Sequence, residues 1–325
     1  MKRDNMNKLM TRVFLCLTLS VCQGTFAQTF PNQPVKIVVG FAAGSSIDII
    51  TRVVAQKLGE KIGKPVTVEN KPGAGANIGA EYVARSSPNG YTLLAANNGL
   101  AIAPAIYKNM TFNPSKDLVA ITQMTSMPHV VVAPMDLPAN NIPELIALAK
   151  ARPGKLNMSS AGTGNADHLA GELMFSMANI NIVHVPYKGG AQAMMDVANG
   201  NVAIFFSGLP GALPMIKAGK VKALGVGTAQ RSWALPEVQS IGETLPGFDV
   251  TLWYGLLAPA GTPKTIVDYF AREVKAIMTQ TDLIESLRNV GADPVGSTPQ
   301  QFQALFDKEV QTWQAVVKNA NIVVD

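Results

Sequence analysis

The sequence holds little that would support covalent or metal chemistry. Its 325 residues include only two cysteines and three histidines. Cys16 and Cys22 both fall near the start, so the rest of the chain has no thiol for a disulfide, a thiolate metal site or a cysteine nucleophile. His129, His168 and His184 are not spaced as HExxH or as a ligand pair on one helical turn, and no metal or cofactor is expected. Neither a G-x-S-x-G nucleophile elbow nor a G-x-x-x-x-G-K-[ST] phosphate loop occurs. Positive charge is also scarce. The formal net charge of +5 includes Lys2, Arg3, Lys8 and Arg12 against Asp4, and without that segment about +2 remains. That is too little for a nucleic-acid footprint. Beyond residue 27, no apolar run reaches the about 20 residues that cross a membrane without meeting a charge or a proline.

What is present at the start is a basic segment, an apolar run from about Val13 to Val21, and Thr25-Phe26-Ala27. This reads as a secretory signal over residues 1–27, cleaved after Ala27. Val21 before Cys22 fits a lipoprotein site poorly, so anchoring at Cys22 is not expected. The mature chain is expected to be soluble and exported. At about 300 residues it exceeds the usual size of one core, which predicts two domains.

Short β-rich runs alternate with helical patterns. VKIVVG (35–40), a helix over 48–61, VTVE (66–69), a helix over 77–85 and YTLLAA (91–96) form one series. HVVVA (129–133), a helix over 143–151, LNMSS (156–160), a helix over 166–177, IVHVPY (182–187), a helix over 192–199 and VAIFFS (202–207) form a second. The rhythm predicts two α/β lobes around largely parallel sheets. The tail is helical: Ile266, Phe270, Val274 and Ile277 share one face, and Phe302, Leu305, Phe306, Val310, Trp313 and Val317 another. Both stripes are packing faces, and Trp313 is given no chemistry.

Three strand-to-helix turns carry the functional signal. In Gly44-Ser45-Ser46-Ile47-Asp48, Ser45 and Asp48 have capping-box spacing. The first amides of a helix lack intrahelical partners and sit at the positive end of its dipole, so an anion can be held there without a cationic side chain. Ala161-Gly162-Thr163-Gly164-Asn165, followed by Asp167 and His168, repeats the arrangement in the second series. Pro186-Tyr187-Lys188-Gly189-Gly190-Ala191 is the third, with one flexible cation, Lys188. Each turn also has a plain structural explanation as a tight connection, and His168 as a capping or core residue. The enzymatic alternative is a nucleotide-dependent α/β enzyme built on Gly73-Ala74-Gly75-Ala76-Asn77-Ile78-Gly79. Its G-x-G-x-x-x-G spacing departs from the dinucleotide fingerprint and follows the second strand.

Phe41 to Asp48, NKPGAGANIGAEYVA (70–84), PNGYTLL (88–94), HLAGE (168–172), HVPYKGG (184–190) and WYGLLAPAGTP (253–263) together resemble one family along nearly all the mature chain. The chain is similar to the Bug-type solute receptors of tripartite tricarboxylate transporters. The resemblance implies an α/β fold of the periplasmic-binding-protein (Venus flytrap) type, two α/β lobes joined by a double-crossing hinge. Residues 28–128 and 253–325 would form one lobe and 129–252 the other. It implies no catalysis, a monomer, capture of a small carboxylate, and delivery to integral-membrane permease subunits.

By position, the resemblance places the ligand against Phe41, Ala43, Gly44, Ser45 and Ser46 in one lobe. In the other it places Ser160, Gly162, Thr163, Gly164, Asn165, Tyr187, Lys188, Gly189, Gly190 and Ser207, with Asp48, His168 and Phe206 in indirect roles. Main-chain amides and bridging water would hold one carboxylate. Two departures from the family's usual pattern bear on the guest. Ser45-Ser46-Ile47 replaces a glycine and a threonine hydroxyl, and Ser207 replaces an aspartate that could bind an amine or hydroxyl, arguing against an amino-acid ligand. With Lys188 the one cation in the loops, a monocarboxylate or dicarboxylate with an apolar or aromatic far end is expected, with Phe41, Tyr187 and Phe206 as candidate walls.

Overall fold

The computed structural model describes residues 30–107 and 109–319; the expected signal segment, residues 1–27, lies outside them. Ten strands are described: β1 (Val35–Val39), β2 (Val66–Asn70), β3 (Thr92–Asn97), β4 (Leu118–Ala133), β5 (Asn157–Ser160), β6 (Val183–Pro186), β7 (Ile204–Gly208), β8 (Lys222–Val226), β9 (Thr251–Pro259) and β10 (Asp293–Pro294). Their order is β2-β1-β3-β9-β4-β7-β5-β6, with β8 and β10 paired to β4.

The alternating α/β rhythm produces parallel pairs at both ends of this order, β1 with β2 and β3, and β5 with β6 and β7. The middle is antiparallel, unlike the largely parallel sheet expected. The cause is β4, which runs on for 16 residues where only its last five had been read as a strand. It pairs antiparallel with β9 up to Pro128, then with β7 from His129 and with β8 from Val130. One strand thus belongs to two sheets, and β9, antiparallel to both β3 and β4, carries the return. The result is a two-lobed α/β fold of the periplasmic-binding-protein type.

Each sheet has its own core, as the period-two pattern of its strands requires. In the first, Trp253 and Leu257 on one face of β9 pack with Phe302 and Phe306 from the helix Pro299–Asn319. The Phe302 ring lies edge-on to Trp253, with centroids 5.1 Å apart, and sits over Gly255, where a Cβ would meet its Cζ at 2.1 Å. Only the missing side chain at 255 lets this ring reach the sheet. Glu309 on the same helix accepts from Trp313 Nε1 (2.8 Å) and from Asn98 Nδ2 (3.2 Å), while Asn98 Oδ1 accepts the Trp253 amide (3.1 Å). The tail therefore clamps the start of the helix Asn98–Ile106. In the second core, Val130 and Val132 of β4 meet Phe205 of β7 and the buried face of the helix Gly190–Ala198.

Removing the Phe302 ring leaves a void above a bare glycine that the sheet cannot collapse into. Phe302→Ala is expected to cost about 3–5 kcal/mol of unfolding free energy in urea titration; a loss under about 1 kcal/mol would contradict this packing. A second prediction concerns the imidazoles of His168 and His184, stacked 3.6 Å apart. Burial, then repulsion from His168, pushes the pKa of His184 from 6.5 down to about 3. Between those values the unfolded chain binds the proton that the folded chain refuses, so acidification through that window destabilises the fold. The melting temperature of the wild type should fall faster than that of His184→Gln between pH 6.5 and pH 4, whereas parallel profiles would refute the assignment.

Candidate ligand-binding site

The first turn is built by its acid. The helix Ser46–Ile62 has Ser45 at its N-cap, but the Ser45 side chain caps nothing. Asp48 instead reaches back to the Gly44 amide (2.9 Å), and also receives Asn70 Nδ2 (2.9 Å) and Arg52 Nε (3.0 Å). Burial works against its charge, but the bonds from Arg52, Asn70 and Gly44 outweigh it and hold the carboxyl below the usual 3.8. Arg52 is thereby spent on the turn. The Ser45 amide, which a capping box would use, donates instead to the Ala42 carbonyl (3.3 Å), and the buried Ser45 hydroxyl has no hydrogen-bond partner among the described residues.

Ser45 lines a cavity of about 210 Å³. Phe41, Gly44, Ser46 and Ile47 line it from the first lobe, with Asn97 at the end of β3 and Tyr254 on β9. Ala161, Asp167, Gly190, Ala191, Phe205, Ser207, Gly208 and Gly211 face them from the second lobe, and Met194, Met195 and Met215 complete an apolar wall. Among the described residues, five helices start at this cavity: Ser46–Ile62, Asn98–Ile106, Ala166–Ala178, Gly190–Ala198 and Leu209–Lys217. No Lys, Arg or His is among its lining residues. Each partly buried helix end contributes up to about 2 kcal/mol towards a nearby anion, whereas a solvated lysine pair contributes about 0–1 kcal/mol. Four of these ends can therefore favour an anion without a cation, while at the fifth, Ala166–Ala178, the acid Asp167 stands on the wall.

Of the expected contacts, Phe41, Gly44, Ser45, Ser46, Gly190 and Ser207 come together on this cavity. Ala43 is exposed and off the wall. Ser160, Gly164, Asn165 and His168 build the second turn from within. The Ser160 hydroxyl bonds the Gly162 carbonyl (3.0 Å), the Gly164 amide donates to His168 Nδ1 (3.1 Å), and Asn165 Oδ1 caps the His168 amide (3.0 Å). Gly162, Thr163, Tyr187 and Lys188 line a neighbouring cleft of about 350 Å³ with Tyr107 and the residues 73–76 turn. Tyr187 donates its hydroxyl to Asp196 (2.5 Å), which with burial pushes its pKa to about 12. Gly189 is packed on Ala42 of the other lobe; a Cβ there would lie 2.8 Å from the Ala42 methyl. Phe206 is fully buried on the opposite face of β7, and its neighbour Phe205 is the aromatic wall.

Residues absent from the expected set include Asn97, Asp167, Phe205 and Tyr254. One signal was available: alternation on β7 puts 205 and 207 on one face, so Ser207 and Phe206 could not both look into the cavity. Tyr254 is fully buried. Burial first, then the Asp167 charge, raises its hydroxyl well above 10.0, so it stays a protonated donor. The lobes touch around the site. Ser46 Oγ donates to the Gly208 carbonyl (3.1 Å) and accepts the Gly211 amide (3.0 Å), and Tyr107 donates its hydroxyl to the Thr163 carbonyl. Gly75 of the glycine-rich turn, at φ 61°, approaches that carbonyl so closely that a Cβ would lie 2.6 Å from it. Its glycine serves the contact between lobes.

The family model for the tripartite tricarboxylate transporter family receptor (TctC) matches residues 50–322. Protein BugT of Bordetella pertussis is 31% identical over 318 residues, 97% of this chain and 98% of that protein. The structure of periplasmic binding protein BugD is 34% identical with a TM-score of 0.87, covering 90% of this chain and 99% of that one. R. palustris Rpa4515, solved with adipate, is 32% identical with a TM-score of 0.88, covering 90% and 99%. The matched family is one of receptors and BugD is a periplasmic binding protein, which makes this chain a receptor and not an enzyme. Among the described residues no helix is long and apolar enough to cross a membrane. The chain belongs to the TctC family of tripartite tricarboxylate transporter receptors, with the fold of a periplasmic solute-binding protein.

Proposed function

We propose that the protein is exported by a cleaved signal over residues 1–27 and acts in the periplasm as a monomeric receptor. It captures a small monocarboxylate or dicarboxylate between its lobes and passes it to the permease subunits of a tripartite tricarboxylate transporter. The observation that carries this reading is the convergence of five helix starts on a cavity lined by no cationic side chain. Backbone amides supply the positive potential. Phe41, Phe205 and three methionines accept an aliphatic or aromatic body. At about 210 Å³ the cavity is smaller than the ~300 Å³ at the low end of drug-sized sites, which selects a small guest. The adipate in R. palustris Rpa4515 supports a carboxylate guest.

The lobes are taken as residues 28–128 with 253–325, and 129–252, a division supported by the change of partner on β4 between Pro128 and His129. A guest touching both lobes favours their closed arrangement by the contacts that only this arrangement offers, and the permease reads the closed state.

A thermal-shift screen of the dialysed mature protein against aliphatic and aromatic carboxylates, sugars and amines lacking a carboxylate tests the reading. At one hundred times the dissociation constant a carboxylate should stabilise the fold by about 2.7 kcal/mol, a shift of several degrees that grows with its concentration. Stabilisation by sugars or simple amines, with no response to any carboxylate, would overturn it.

A further inference from the structure

Two acids stand near the starts of helices that face this cavity, and they differ in how they are used. Asp48 is saturated: the Gly44 amide, Asn70 and Arg52 all bond it at 2.9–3.0 Å, and it is no part of the cavity wall. Asp167 lines the cavity and is buried, with 8% of the residue exposed. Its contacts are long. Asn165 Nδ2 lies 3.3 Å from Oδ2, and His129 Nε2 lies 3.4 Å from Oδ1 without making a hydrogen bond. Charge-assisted bonds to a carboxylate run at about 2.7–2.9 Å, and a carboxylate offers about four lone-pair sites. Asp167 therefore retains acceptor capacity directed at the cavity. It also occupies the start of the helix Ala166–Ala178, so a guest's carboxylate is repelled from that end and directed to the amides of residues 45–47 and 190–191.

Resting on the carboxylate-receptor reading above, we infer that Asp167 recognises the far end of the guest, selecting a carboxylate that carries a hydrogen-bond donor there, a hydroxyl or an ammonium, over one ending in a methyl or a second carboxylate. The acid missing at Ser207 is thus supplied by another element of the same lobe. Its neighbours Asn97 and Tyr254 offer both donors and acceptors to the same end.

Calorimetry of straight-chain acids of three to six carbons, each ending in methyl, hydroxyl, ammonium or carboxylate, reads the selection. At the best-fitting length, the wild type should bind the hydroxyl or ammonium member at least tenfold tighter than the methyl and dicarboxylate members. Asp167→Asn should abolish the ammonium advantage and tighten the dicarboxylate at least tenfold, with the methyl member changed less than threefold. A dicarboxylate or methyl member binding tightest to the wild type overturns the inference while leaving the carboxylate receptor standing. Ratios unchanged within twofold in Asp167→Asn do the same. If no carboxylate binds, the inference falls together with the reading beneath it. The wild-type series decides even if the variant fails to fold.

Discussion

The architecture depends on main-chain amides that have no partner within their own helices. A helix leaves its first amides unsatisfied, and burying them without an acceptor costs free energy. Here five helix starts meet at one apolar cavity between two sheets. Fixed dipoles in such surroundings act on an anion more strongly than a solvated lysine does, and they need no reorganisation when it arrives. A backbone site of this kind constrains sequence weakly: it demands small residues where the chain turns, as at Gly44-Ser45-Ser46 and Gly189-Gly190. The body of the guest is left to side chains that can vary, such as Phe205 and the methionines.

The same turns that present amides also join the lobes. Ser46 bridges the Gly208 carbonyl and the Gly211 amide, and Tyr107 reaches Thr163 beside Gly75. Strand β4, shared by two sheets, and its partner β9 join the two halves.

Much of this was legible in sequence, and the limits have physical reasons. Alternating β runs and helical stripes located β1–β3, β5–β7 and the helices between them to within a few residues, because burial imposes period two and period 3.6 directly, but β8, β9 and the helices Asn98–Ile106 and Leu209–Lys217 carry no such stripe and were not read. The tail stripe carried by Phe302, Phe306 and Trp313 is buried as its spacing predicts. The antiparallel centre was not legible, since a strand buried on both faces, as the last part of β4 is, shows no alternation that reveals its partner. Within the site, turns rich in glycine and serine pointed to Gly44, Ser45, Ser46 and Gly190, and at Gly44, with φ 79°, the conformation itself favours glycine. Asn97, Asp167 and Tyr254 come from strand ends and a helix start far apart in the chain. Only the topology brings them together, and no local spacing encodes that.

The claim that backbone dipoles hold the guest is tested most directly by mapping amide proton shifts while ¹⁵N-labelled protein is titrated with its tightest carboxylate. The account predicts the largest downfield shifts at residues 45–47 and 190–191, with Thr163 and Lys188 in the neighbouring cleft little changed. The largest shifts at Thr163, Tyr187 and Lys188, and none in the Ser45 turn, would place the anion beside the lysine and contradict it.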